Sequence, residues 1–385
     1  MRLNLRRSMF MLAMMTAAVF LVAACGGSEP AAPAAAKKPA PASTGNPEYL
    51  ALLEAAEKEG TLTVSGMNYE PEDVKNLESG FLAKFGFPVK IISDPGHVRE
   101  LPARLKAGGK YDVIDGSGIT AGQVEDIVGL QPVDWSIFPE SDFPGLMQNY
   151  ADRSRPGINC VLFFRFSWAF VYNTDMLSED ELPNSMEDLT DPKWKHRFAV
   201  SDLAVPLGTM SLQWDQEEGM ERMLDLAKRL RANQPVIASG GSPGAIAKVI
   251  AGEVPIATAA FSSALGQMDK GAPIALLPFR EPEAGSDKAY QPGLAMNVCP
   301  IKDSPNPNMA KLFTAWVSTD YPEAVAKNRG HFRPFRAGDT SVIAKFYQSH
   351  GIGIDNFLTH KNVAQEKQRK AVYGAAAKVY AGLAD

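Results

Sequence analysis

The sequence predicts an α/β protein whose mostly parallel strands are covered by helices, and three observations carry that prediction. Short β-type runs alternate with helix-length amphipathic segments from Asn46 onward, the pattern of a sheet built by crossover connections. Glycines punctuate the alternation: Gly60, Gly86, Gly108-Gly109 and Gly129 each follow a helical segment, where a left-handed residue closes the last turn. The chain has 385 residues, 45% of them hydrophobic and 22% charged. That favours two globular units with cores of their own and excludes a disordered chain, a collagen-like repeat and a disulfide-stapled miniprotein.

The first 24 residues stand apart from this pattern. Arg2, Arg6 and Arg7 precede an uncharged apolar run from Met9 to Ala24. A helix of that run would be about 24 Å long against a hydrocarbon core of about 30 Å, which favours a signal segment over a transmembrane anchor. Its end, Leu21-Val22-Ala23-Ala24-Cys25, resembles the lipobox of bacterial lipoproteins, so a diacylated Cys25 is the expected N-terminus. Removing residues 1–24 takes away three arginines and no acid, moving the formal charge from −5 to −8; a basic nucleic-acid footprint is absent. Residues 25–45 are rich in Ala, Pro, Gly and Ser and read as a semi-extended tether. Cys160 and Cys299 remain in a compartment that permits disulfides, and spacing alone leaves their pairing open.

Asn46 and Pro47 read as the cap and first residue of a helix closed by Gly60,. A strand over 62–65, a helix over 71–85, a strand over 89–93, a helix over 98–107, a strand over 112–115 and a helix over 120–128 follow. Val161 to Asn173 reads VLFFRFSWAFVYN, a long β-type run,. Sorting it by period two puts Leu162, Phe164, Phe166, Trp168, Phe170 and Tyr172 on one face, and Arg165 and Ser167 together on the other,. A second alternating series follows: strands over 198–201, 236–238 and 254–259 with helices over 216–231 and 243–251. Strands over 274–277 and 294–298, and helices near 309–317, 322–327 and 364–383, complete the chain.

Catalytic motifs are few. Gly240-Gly241-Ser242-Pro243-Gly244 satisfies G-x-S-x-G between a strand and a helix, but a nucleophile elbow needs the N–H after the serine and Pro243 has none. Ser242 as N-cap with Pro243 as N1 is the favoured reading; a membrane-anchored serine hydrolase using Ser242 is the enzymatic alternative. His97, His196, His331, His350 and His360 are scattered, with no HExxH, CxxC, P-loop or GxGxxG, so no metal, cofactor or catalytic set is expected.

More informative are the small polar groups after the strands, because ligands of open parallel sheets sit beyond the strand C-termini. Ser65, Met67 and Asn68, then Ser117, Asp202, Thr209, Ser242 and Ser262 all fall at such ends. Their recurrence in both halves points to a cleft between two lobes.

A family resemblance runs through most of residues 46–335. It is carried by Ala55-Ala56-Glu57-Lys58-Glu59-Gly60, Tyr111-Asp112-Val113, Tyr172-Asn173-Thr174-Asp175 and Pro183-Asn184-Ser185-Met186-Glu187-Asp188-Leu189. Asp191-Pro192-Lys193-Trp194-Lys195, Ala251-Gly252-Glu253 and Pro305-Asn306-Pro307-Asn308-Met309-Ala310-Lys311-Leu312-Phe313 continue it in order. The chain resembles the lipoprotein-anchored solute-binding component of bacterial ABC importers with the type II periplasmic-binding-protein fold, in its iron, thiamine, phosphonate and polyamine-like branch. The resemblance implies two lobes, 46–155 with 290–335 and 156–289 with 336–385, which close on a ligand. It implies a monomer on the extracytoplasmic or periplasmic face of a membrane, delivering a small solute to a permease and its ATPase subunits; a sensor subunit would look the same. Iron-binding members carry adjacent tyrosines where this chain has Phe261-Ser262-Ser263, which argues against ferric iron; a full polyamine set is not visible either, although Asp202 and Trp168 could contribute to one. Arg165 beside aromatics, with Ser and Gly backbone at helix starts, favours a small anion.

Overall fold

The computed structural model describes residues 46–65, 69–94, 100–151, 159–201, 204–285, 288–320, 342–353 and 356–383. The lipobox with Cys25, the tether, Met67, Asn68, Asp202 and the helix expected at 322–327 lie outside the described residues. Among those described, no helix is long and apolar enough to cross a membrane.

The first half builds a parallel sheet edge. Helix α1 (Pro47–Glu59) starts where the Asn46 side chain accepts the Glu48 N–H at 3.0 Å and ends at Gly60 in the left-handed region. It leads into β1 (Thr61–Ser65), α2 (Pro71–Phe85), β2 (Lys90–Ser93), α3 (Leu101–Lys106), β3 (Val113–Gly116) and α4 (Gly118–Ile127). Strand β1 pairs parallel with both β2 and β3. Helix α5 (Leu146–Ala151) then precedes the long strand β4 (Val161–Asn173).

The second half repeats the theme with β5 (Phe198–Ser201), α6 (Val205–Met210), α7 (Gln216–Ala232), β6 (Val236–Ala238), α8 (Gly241–Ile250), β7 (Ile256–Ala260), α9 (Phe261–Met268), β8 (Ile274–Pro278) and β9 (Glu281–Pro282). Strand β5 pairs parallel with β6 and β7. The chain returns along β10 (Ala289–Pro300), then forms α10 (Pro307–Asp320), α11 (Val342–Ser349), β11 (Phe357–Leu358) and α12 (Val363–Tyr380).

The sheet order is β2-β1-β3-β10-β4-β7-β5-β6, with β8, β9 and β11 joined at its sides. Strands β4 and β10 are antiparallel neighbours, and they connect the two parallel halves. The period-two reading of β4 holds in its second half. Trp168, Phe170 and Tyr172 join the main core, while Ala169 and Val171 face a second core under α8 and α9. In its first half Val161, Phe163 and Phe164 all join the main core, because both faces of that stretch are covered.

Polar seams fasten the first half. The Asp112 carboxylate accepts the Thr63 N–H at 2.7 Å, the Ser304 hydroxyl at 2.6 Å and the Asn306 N–H at 3.0 Å. Glu59 accepts the N–H groups of Asn308 and Met309 at 3.0 and 2.6 Å, capping the start of α10. Cys160 and Cys299 form a disulfide that joins the entry of β4 to the end of β10.

Candidate functional site

The centre of the molecule is where β4 and β10 cross from one half to the other. Strand β3 pairs with β10 from Pro300 back to Asn297 and stops there, at Gly116. Strand β11 pairs with Gln291 and Pro292 of β10. Residues 293–296 of β10 lie between these two ends. Arg165 of β4 stands opposite Ala295, inside this interval, and Ser167 opposite Gly293 at its start. Ser117, the N-cap residue of α4, lies one residue beyond the end of β3, with its side chain not engaged in the cap. His360 lies two residues beyond the end of β11.

Other expected residues are held differently. Ser65 ends β1 with its hydroxyl 3.0 Å from Asp94, which pairs with Arg104; Arg104 in turn lies over the Tyr111 ring. Burial and the Asp94 hydrogen bond raise the Tyr111 hydroxyl above its ordinary pKa. Thr209 reaches the crossover but is fully buried, and its hydroxyl donates to the Gly293 carbonyl at 3.4 Å. Ser167 is buried against the Tyr347 hydroxyl, whose pKa rises because it is out of water.

Three sequence readings are corrected by packing. Trp168 is 7% exposed within the main core, and Phe261 is 2% exposed with its ring 4.9 Å from Phe346; neither offers a face to a ligand. Ser242 is not the cap of α8, which begins after Gly240 with Gly241 as its first residue. Its hydroxyl accepts the Ala260 N–H at 2.8 Å, tying the start of α8 to the end of β7. No described histidine bonds Ser242. A Cβ on Gly244 would lie 1.9 Å from the Ser239 carbonyl oxygen, so the last glycine of the G-x-S-x-G match serves a close backbone approach and the serine-hydrolase reading has no support. The Ser262 side chain lies outside the described residues.

The sequence reading missed the C-terminal contribution to this site. His360 and Glu366 are each 1% exposed and Arg369 is 5% exposed. His360 Nε2 is 3.9 Å from a Glu366 carboxylate oxygen, beyond hydrogen-bond range. Burial, then Arg369 and Arg165, pull the His360 pKa down to about 3, so the imidazole is neutral at pH 7. A signal existed in the sequence: Arg369, Val372, Ala376 and Val379 follow helical spacing, and a charge on an otherwise apolar stripe marks a buried group.

Residues 136–285 match the family model of the bacterial extracellular solute-binding protein. The match covers less than half of the chain. The fold of the chain is that of the type II periplasmic binding proteins. Iron-bound HitA from Pseudomonas aeruginosa superposes with a TM-score of 0.59 at 19% identity, over 81% of this chain and 99% of that one. The Trichodesmium protein IdiA (FutA) in complex with iron and citrate gives 0.61 at 17% identity, over 84% and 99%. The spermidine/putrescine-transporter protein PotD from Streptococcus pneumoniae, in complex with calcium and HEPES, gives 0.60 at 16% identity, over 83% and 99%. No curated protein matches the chain. Among the described residues, no group of three or more His, Cys, Asp or Glu is placed to hold a metal.

Proposed function

We propose that this solute-binding domain captures a small polar anion at the β4–β10 crossover and delivers it to an ABC permease. The observation that carries this reading is the position of Arg165, half-buried on a crossing strand between the ends of β3 and β11. A guanidinium there presents paired donors to a carboxylate or phosphonate. The start of α4 at Ser117, one residue past the end of β3, adds backbone N–H groups of a helix N-terminus,. The lobes on this reading are residues 46–155 with 290–335 and residues 156–289 with 336–385. A ligand touching both favours the closed form by its differential affinity. Cys25 holds the domain to a membrane through its lipid, on the extracytoplasmic side, as a monomer without catalysis.

Ferric iron or a polyamine is the second reading, because HitA is iron-bound and PotD belongs to a spermidine/putrescine transporter. The deciding experiment is thermal melting of residues 43–385 against malonate, methylphosphonate, inorganic phosphate, putrescine and ferric citrate. A ligand at 100 times its Kd stabilises by about 2.7 kcal/mol. An oxyanion hit supports the proposal, whereas a hit by putrescine or ferric citrate alone replaces the anion with a cation.

A further inference from the structure

We propose that the C-terminal segment β11–α12 completes an oxyanion site at the crossover, with His360 and Arg369 joining Arg165 around one carboxylate, phosphonate or phosphate group of the ligand. This inference rests on the anion reading above and adds the residues that fix the ligand's charge.

The argument starts from unfilled hydrogen-bonding capacity. Arg369 Nε and both ring nitrogens of His360 are buried without a hydrogen-bond partner among the described residues. Buried polar groups are nearly always paired, and three unfilled nitrogens in one place call for an occupant. Their chemistry selects it. Guanidinium groups only donate, and a neutral imidazole donates from one nitrogen, so the group that satisfies Arg369 and His360 together is an acceptor. Arg165 and Arg369 are both within electrostatic reach of His360, and against them stands the Glu366 carboxylate 3.9 Å from the ring; the excess of positive charge favours an acceptor carrying negative charge.

Geometry supplies the rest. Leu358 pairs with Pro292 in parallel register, so the chain past β11 runs beside the β10 interval that faces Arg165 and Ser167. Helix α12 packs on α6 and α7, and a Cβ on Gly208 would come within 2.4 Å of the Arg369 carbonyl oxygen. That close packing fixes where Arg369 sits. Glu366 and Tyr373 on α12 are the other titratable groups that act on Arg369. Arg165 keeps part of its surface exposed.

The test uses the full tethered domain with carbon-13-labelled histidine, and His360→Gln to assign the His360 resonance. Malonate, methylphosphonate and inorganic phosphate are added separately at pH 7. The expected result is that an anion that stabilises the protein displaces the His360 resonance, and that Arg369→Gln weakens its binding at least 10-fold. The labelled wild type carries the test if Arg369→Gln does not fold. An unmoved His360 resonance in the anion-saturated protein, with binding lost in Arg165→Gln, means that water fills the cluster; it overturns this inference and leaves the anion reading standing. Failure of all three anions to bind the wild type overturns both.

Discussion

Asp112 and His360 are buried to the same degree, at 0% and 1% exposure, yet they are treated in opposite ways. The Asp112 carboxylate is filled from four directions by Thr63, Ser304 and both nitrogens of Asn306. His360 makes no hydrogen bond to a described residue through either ring nitrogen. The first pattern is a seam, which locks β1, β3 and the start of α10 together. The second leaves capacity for something that arrives later. The difference separates a stitched seam from open capacity within one fold: the Asp112 carboxylate is filled, and the His360 ring is not.

The largest expected effect comes from breaking the seam. Asp112→Ala leaves buried N–H and hydroxyl donors unfilled and should cost about 3–5 kcal/mol, read from urea melts; a loss under about 1 kcal/mol would mean that the seam is not what holds the half together. The disulfide is the covalent version of the same device. Cys160 and Cys299 are 139 residues apart in sequence, and a loop of that size predicts a loss of about 2–5 kcal/mol in Cys160→Ala/Cys299→Ala. Equal melting of the oxidised and reduced protein would contradict it.

Much of the scaffold was legible because its devices are local. Asn46, Pro47 and Gly60 announce α1, and Glu59, Asp112 and Asn308 belong to the segments that carried the family resemblance. Those segments proved to be stitches: they say what the fold is and little about what it binds. Two elements were misread for a physical reason. Pro206 and Gly208 hide α6, where the glycine admits α12 at close range. Pro292 and Gly293 made β10 look five residues long, although it runs from Ala289 to Pro300. The site was harder to read, because Arg165 is far in sequence from His360 and Arg369, and strand register with the packing of α12 is what relates them. Ser242 and Phe261 looked functional from position alone, and packing assigned them to structure.

The crossover makes a smaller, pH-dependent prediction. The His360 pKa is about 6.5 when unfolded and about 3 when folded,. Its contribution to stability is therefore complete above pH 6.5 and is lost as the pH falls toward 3. Between pH 6.5 and 5 the wild type should lose about 2 kcal/mol more than His360→Gln; parallel stability curves would contradict the burial of a neutral ring. Ser242→Ala should show the least, about 1 kcal/mol for one lost hydrogen bond, measured by thermal melting. A cost above about 3 kcal/mol would give that residue a larger part than tying α8 to β7.

The most direct measurement is titration calorimetry of the stabilising oxyanion into the wild type and Arg165→Gln at pH 7. One ligand per monomer in the wild type, with affinity at least 10-fold weaker in Arg165→Gln, is the result expected of an anion site at the crossover. Equal affinity in the two proteins would place the ligand elsewhere and contradict the account.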